Sequence, residues 1–86
     1  MINFIKNYIN NINIYDLNIF LNINDIYLND NELNILYDYL KNDWYTFIYE
    51  DPTYILNDLK NKITVDKYNK LYDIYIKEKE KYRNYL

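Results

Sequence analysis

Several residue types are missing from this 86-residue chain, and each absence closes off chemistry. There is no Cys, His, Gly, Ala, Ser or Gln. Without Cys there are no disulfides, no thiol nucleophile and no zinc–thiolate site. Without His the usual proton-transfer group at neutral pH is gone. Without Ser the remaining common nucleophile goes too. Without Gly the phosphate-cradling loops of nucleotide-binding proteins cannot be built. Neither a secretory signal nor a membrane-spanning run is visible. Met1–Ile12 lacks a basic start and is interrupted by Asn3, Asn7, Asn10 and Asn11. The default expectation is a cytoplasmic protein that is not an enzyme and holds no cofactor or metal.

What remains is dominated by Asn, Ile, Tyr, Lys and Asp. Their codons are AT-rich, which points to an AT-rich genome: a low-GC bacterium, its phage, or a similarly biased eukaryote or virus. The Asn residues alternate with periodic Ile and Leu, so they do not form a low-complexity block. Half of the chain is apolar, enough for one core and one domain over residues 1–86. Thirteen of the apolar residues are Tyr, whose hydroxyls require partners or water.

Charge is unevenly spread around a net of −3. Up to Leu59 only Lys6 and Lys41 are positive, against nine acids. From Lys60 onward eight basic residues face four acids. Such polarity marks either an interaction surface or an attraction between the halves of one domain.

Helix starts are the clearest local signal. An apolar residue before an N-cap pairs with one four positions into the helix. That pattern occurs at Ile12-Asn13 with Leu17, at Leu28-Asn29 with Leu33, and at Ile63-Thr64 with Tyr68. Asp16 and Glu32 add an acid at the third helical position, where it suits the helix dipole. Asp51-Pro52 is a fourth start, with Asp as cap and Pro in the first turn.

The apolar spacing agrees with five helices. Their faces are Ile5, Tyr8, Ile9 and Ile12; then Leu17, Phe20 and Leu21; then Leu33, Leu36, Tyr37 and Leu40. Ile55, Leu56, Leu59 and Ile63 make the fourth, and Tyr68, Leu71, Tyr72, Tyr75 and Tyr82 the fifth. The expectation is an all-α bundle of about five short helices, the last one longest, fraying near Arg83 to Leu86. Trp44 to Tyr49 and Ile23–Leu28 read as connectors. A minor two-stranded pairing between them is left open.

Two surfaces are candidates for binding. Asp38, Tyr39, Asp43, Tyr45, Tyr49 and Glu50 mix acids with large rings, the composition of an interface for a basic protein partner. Tyr39 and Tyr45 are expected to be exposed, while Trp44 and Phe47 close the core. On the last helix Lys67, Lys70, Lys77 and Lys81 form a stripe that could track nucleic-acid phosphates. Asp66–Lys70 and Asp73–Lys77 stand at the supportive i,i+4 spacing and would partly cancel it. The acidic domain argues against nucleic acid as the principal partner. Ile74, among the lysines, is expected outside the core. A symmetric homodimer is left open. Of the acid clusters, Glu50-Asp51 and Asp25, Asp30 and Glu32 lack calcium-loop spacing and read as helix-start and loop residues.

The layout resembles the YqfT-like family of uncharacterised short proteins of low-GC Gram-positive bacteria. The residues that carry it are Ile9-Asn10-Asn11-Ile12-Asn13, Ile26-Tyr27-Leu28-Asn29 leading into Leu33–Lys41, Phe47-Ile48-Tyr49, and Lys60-Asn61-Lys62-Ile63-Thr64. Where that family shows a basic, Gly-containing turn, this chain has Lys41-Asn42-Asp43. The resemblance implies a bacterial helical fold and no particular site.

Overall fold

The computed structural model describes residues 2–81 and 83, with side chains described from Lys6 onward. Five helices follow one another: α1 (Ile2–Asn11), α2 (Ile14–Ile23), α3 (Asp30–Tyr49), α4 (Thr53–Lys62) and α5 (Val65–Lys81). No strand occurs among the described residues, so the two connectors do not pair. Trp44 to Tyr49 instead continues α3, because Phe47 faces inward at helical spacing from Leu36 and Leu33. The backbone breaks locally at Asp43, where φ is −122° and ψ 18°. That break leaves α5 as the longest uninterrupted helix, although α3 has more residues.

The core is one apolar cluster built from α2 to α5 and the turns between them. Leu17, Leu21, Ile26, Leu33, Leu36, Leu59, Ile63 and Leu71 are buried in it. Both members of each expected staple lie in this cluster or against it: Ile12 with Leu17, Leu28 with Leu33, Ile63 with Tyr68. Asn13 and Asn29 each accept a bond from the third helical N–H, and Asp16 and Glu32 each return one to the cap's own N–H. At the start of α5 the Thr64 carbonyl accepts from Tyr68 N–H at 2.9 Å. The start of α4 differs from expectation by one residue. Pro52 holds the cap position and has no side-chain acceptor, so Asp51 reaches over it to accept from Thr53 N–H at 3.0 Å and from the Thr53 hydroxyl. Those two bonds, the hydroxyl's first, hold the Asp51 carboxyl below its ordinary range.

The α2–α3 turn is made without glycine. Ile26 N–H donates to Leu21 C=O at 2.9 Å and Asp25 N–H to Asn22 C=O at 3.1 Å, the paired bonds of a Schellman cap. Asp25 takes the left-handed position at φ 62°, which costs a non-glycine residue some strain. Ile26 and Leu21, the apolar pair that accompanies this cap, are among the most buried side chains.

α1 is fastened by polar groups of α3. It has no basic residue in its own last turn. Lys41 Nζ supplies the charge, donating to Ile9 C=O at 2.7 Å and Asn10 C=O at 3.0 Å. One turn earlier on α3, the Tyr37 hydroxyl donates to Ile12 C=O at 3.2 Å. At the other end of the bundle, the Tyr75 hydroxyl donates to Phe47 C=O and the two rings meet edge to face at 5.7 Å. The expected face residues Ile5, as a side chain, and Tyr82 lie outside the described residues, as do Asn84 to Leu86. Among the described residues no helix is long and apolar enough to cross a membrane.

Candidate interaction surfaces

Three rings gather on the last turns of α3, beyond the break at Asp43. Trp44 meets Tyr45 edge to face with centroids 5.7 Å apart, and Tyr45 meets Tyr49 at 4.8 Å. Tyr45 is exposed; Trp44 and Tyr49 are half-buried. Trp44 therefore belongs to this ring cluster, while Phe47 alone closes the core. Asp43 stands at the break, Glu50 follows the last turn, and Asp38 is exposed one turn before it. Among the described residues no ion pair joins Asp38, Asp43 or Glu50 to a lysine or arginine. Glu50 accepts from the Thr46 hydroxyl at 3.0 Å. Tyr39 does not join the set. It packs half-buried against the core, with Lys62 Nζ 5.9 Å from its ring, because it shares the inward face of Leu36 and Leu40 rather than that of Asp38.

The lysine stripe of α5 lies along a flank of the core face and not opposite it. At about 100° per residue, Ile74 falls within about 60° of the buried Leu71, so it packs against the core and carries the stripe inward with it. Lys67 Nζ meets Glu32 Oε1 at 2.7 Å. Lys70 donates to the Asp25 carbonyl at 3.1 Å and lies 3.5 Å from its carboxylate. The expected helical pairs Asp66–Lys70 and Asp73–Lys77 do not form; Asp58–Lys62 does, at 2.8 Å on α4. Lys77 and Lys81 are exposed further along. Half of the stripe thus serves to join the acidic front of the chain to its basic back.

Glu32 is the one buried charged residue among those described, 6% exposed. The hydrogen bond from Lys67 holds its carboxyl below the ordinary value of 4.5 against the opposing effect of burial, with Asn29 N–H helping. Asp25 and Asp30 do not converge on it, and no group of three metal-ligating residues assembles among the described residues. The described surface includes two shallow depressions. One, of about 200 Å³, is lined by Asp25, Ile26, Tyr27, Asp66, Lys67 and Lys70; of its cations, Lys67 is engaged by Glu32 and Lys70 by Asp25. The other, of about 280 Å³, lies between α1 and α2 and is lined by Tyr8, Asn11, Ile12 and Asp16.

The periodicity missed one surface. Seven of the ten residues of α2 are apolar, more than a single face can hold. Leu17 and Leu21 go inward, while Tyr15, Ile19 and Ile23 point to solvent. That excess over one face was the available signal.

No protein-family model, curated protein or solved structure matches this chain.

Proposed function

We propose that this chain is a non-enzymatic interaction module of the cytoplasm that binds a protein partner through the acidic, aromatic end of α3. One observation carries the reading: among the described residues no ion pair joins Asp38, Asp43 or Glu50 to a lysine or arginine, and Asp43 and Glu50 flank the ring cluster Trp44–Tyr45–Tyr49 along α3. Exposed rings contribute large contact area at little entropic cost, and rim acids select a partner with a basic surface. Tyr45 is the ring best placed to insert into such a partner, with the Tyr49 ring tilted against it.

Within this reading, an inhibitor, immunity or anti-defence protein of a phage or mobile element is the sharper version. Its acids would occupy a basic channel on the target. A prophage or a toxin gene beside the coding sequence supports that version, and a housekeeping operon opposes it. Affinity capture from the native host tests the broader reading. Replacing Asp38, Asp43 and Glu50 by Lys together should abolish capture of the partner and leave the helical circular dichroism unchanged. Capture that survives the triple replacement, or no partner at all, overturns it.

The nucleic-acid reading has weaker support, since Lys67 and Lys70 are engaged by Glu32 and Asp25. It predicts salt-sensitive RNA or DNA binding that weakens when Lys70, Lys77 and Lys81 become Glu.

A further inference from the structure

The outer face of α2 is the least expected feature of the surface. Tyr15, Ile19 and Ile23 recur every four residues and are 76%, 58% and 78% exposed. On a helix that spacing draws a single stripe, and Ile19 lies roughly 180° from the buried pair Leu17 and Leu21. Asp16 and then Phe20 border the stripe on one side. Beyond it stands Tyr8 of α1, which lines the same depression as Asp16. Asn18 and Asn22 border it on the other side. The only charge on α2 is Asp16, already used in its capping box.

We infer that this face is a homodimer interface, in which α2 packs antiparallel against α2 of a second copy with Ile19 near the two-fold axis. Three properties of the face select that occupant.

The first is charge. The front of the chain is acidic, so two copies meeting elsewhere on it would repel. The stripe itself carries no charged residue: the single charge of α2, Asp16, stands exposed at its edge towards Phe20 with its carboxylate accepting from Asn13 N–H, and the Asn borders can bond across the axis. A strongly charged protein partner finds nothing here to complement. A lipid surface is disfavoured too, because interfacial helices carry Lys or Arg beside their apolar face and α2 has neither.

The second is self-complementarity. A two-fold contact uses the same patch twice. An antiparallel pair sets Tyr15 of each copy over Ile23 of the other and leaves Ile19 opposite Ile19.

The third is area. At about 200 Å² per large side chain, the three stripe residues with Phe20 and Tyr8 expose on the order of 600 Å². That is the upper end of what a monomer ordinarily leaves open, ~300–600 Å². Two such patches bury about 1,200 Å², where specific protein interfaces begin.

Sedimentation of the chain over a hundredfold concentration range tests this. The expected mass approaches twice the 10.8 kDa of one chain at the top of the range and falls towards it on dilution. Ile19→Lys should be monomeric throughout with its helical signal intact, since the residue is exposed. The chain has no cysteine of its own, so a single introduced thiol reports proximity directly. Under mild oxidation Ile19→Cys should cross-link most of the protein into a covalent dimer, and Ile76→Cys on the exposed side of α5 should not. If Ile19→Lys fails to fold, the cysteine pair decides. A wild-type chain that stays monomeric, a dimer that persists in Ile19→Lys, or equal cross-linking at positions 19 and 76 overturns the inference. None of these variants touches the end of α3, so the outcome is independent of the function proposed above.

Discussion

Two capping boxes of nearly the same chemistry, at Asn13/Asp16 and Asn29/Glu32, have been put to different uses. Each has an Asn cap, an acid three residues on and a hydrophobic staple around it. In the first, Asp16 N–H donates to Asn13 at 2.9 Å, but the return bond to the Asp16 carboxylate is long at 3.3 Å and both residues are exposed. In the second, the bonds are 2.8 and 2.9 Å, and the longer acid passes on into the interior to meet Lys67 at 2.7 Å. One extra methylene separates a local device from a tertiary one. The first box starts a helix. The second starts a helix and ties it to another, thirty-five residues later in the chain.

The largest effect should come from removing the cation that distinguishes the second box. Lys67→Met leaves a buried carboxylate without its counter-charge. Breaking a fully buried pair costs several kcal/mol; with Lys67 half-exposed, about 2–3 kcal/mol is expected at neutral pH in urea unfolding.

The same variant should reverse a pH dependence. In the native chain Glu32 has a lowered pKa, so its contribution is complete above the ordinary value of 4.5 and is lost as pH falls through the lower folded value. Without Lys67, burial outweighs the Asn29 bond and raises the carboxyl instead. The deficit of Lys67→Met relative to the native chain should then shrink as pH drops below 4.5. Urea midpoints compared between pH 7 and 3 check this, and a constant deficit would contradict it.

Next come the caps themselves. Asn29→Ala should cost about 1–2 kcal/mol, and Asn13→Ala about 0.5–1, the order following the burial of the two boxes. Equal losses in thermal or urea unfolding would mean that Glu32's tertiary bond does not depend on its cap. The smallest effect belongs to Asp16→Ala, within about 0.5 kcal/mol, because its bond is long and wet.

Both boxes were legible in the sequence because every bond in them spans three residues. The three staples and the inward faces of α3 and α4 followed from the same short spacings, whereas Tyr8, Phe20 and Tyr72, expected on inward faces, are exposed. What could not be seen were partners far along the chain. Lys70 was expected to choose Asp66, four residues away, yet it lies against Asp25, because the α2–α3 turn is packed beside α5. Lys41 gives no local sign that it will hold the end of α1. Tyr39 and Ile74 were misplaced for a related reason. Each has charged residues as sequence neighbours, and each turns inward once its helix is docked. At the candidate site the acids and rings near residue 43 could be listed from the sequence. The break in the helix at Asp43, which no Pro or Gly announces, was not legible.

The left-handed turn at Asp25 gives the composition of this chain a physical address. Glycine is the residue that adopts such a backbone freely, and its codons are among those an AT-rich coding sequence uses least. Here an aspartate stands in, and the Lys70 ammonium rests on its carbonyl and beside its carboxylate. A bias in bases has thus become a strained peptide unit with a cation placed over it. Were the genome to drift towards GC, residue 25 is the position where a single change to Gly would relieve folding most directly, and Lys70 would keep its carbonyl acceptor while losing the carboxylate beside it.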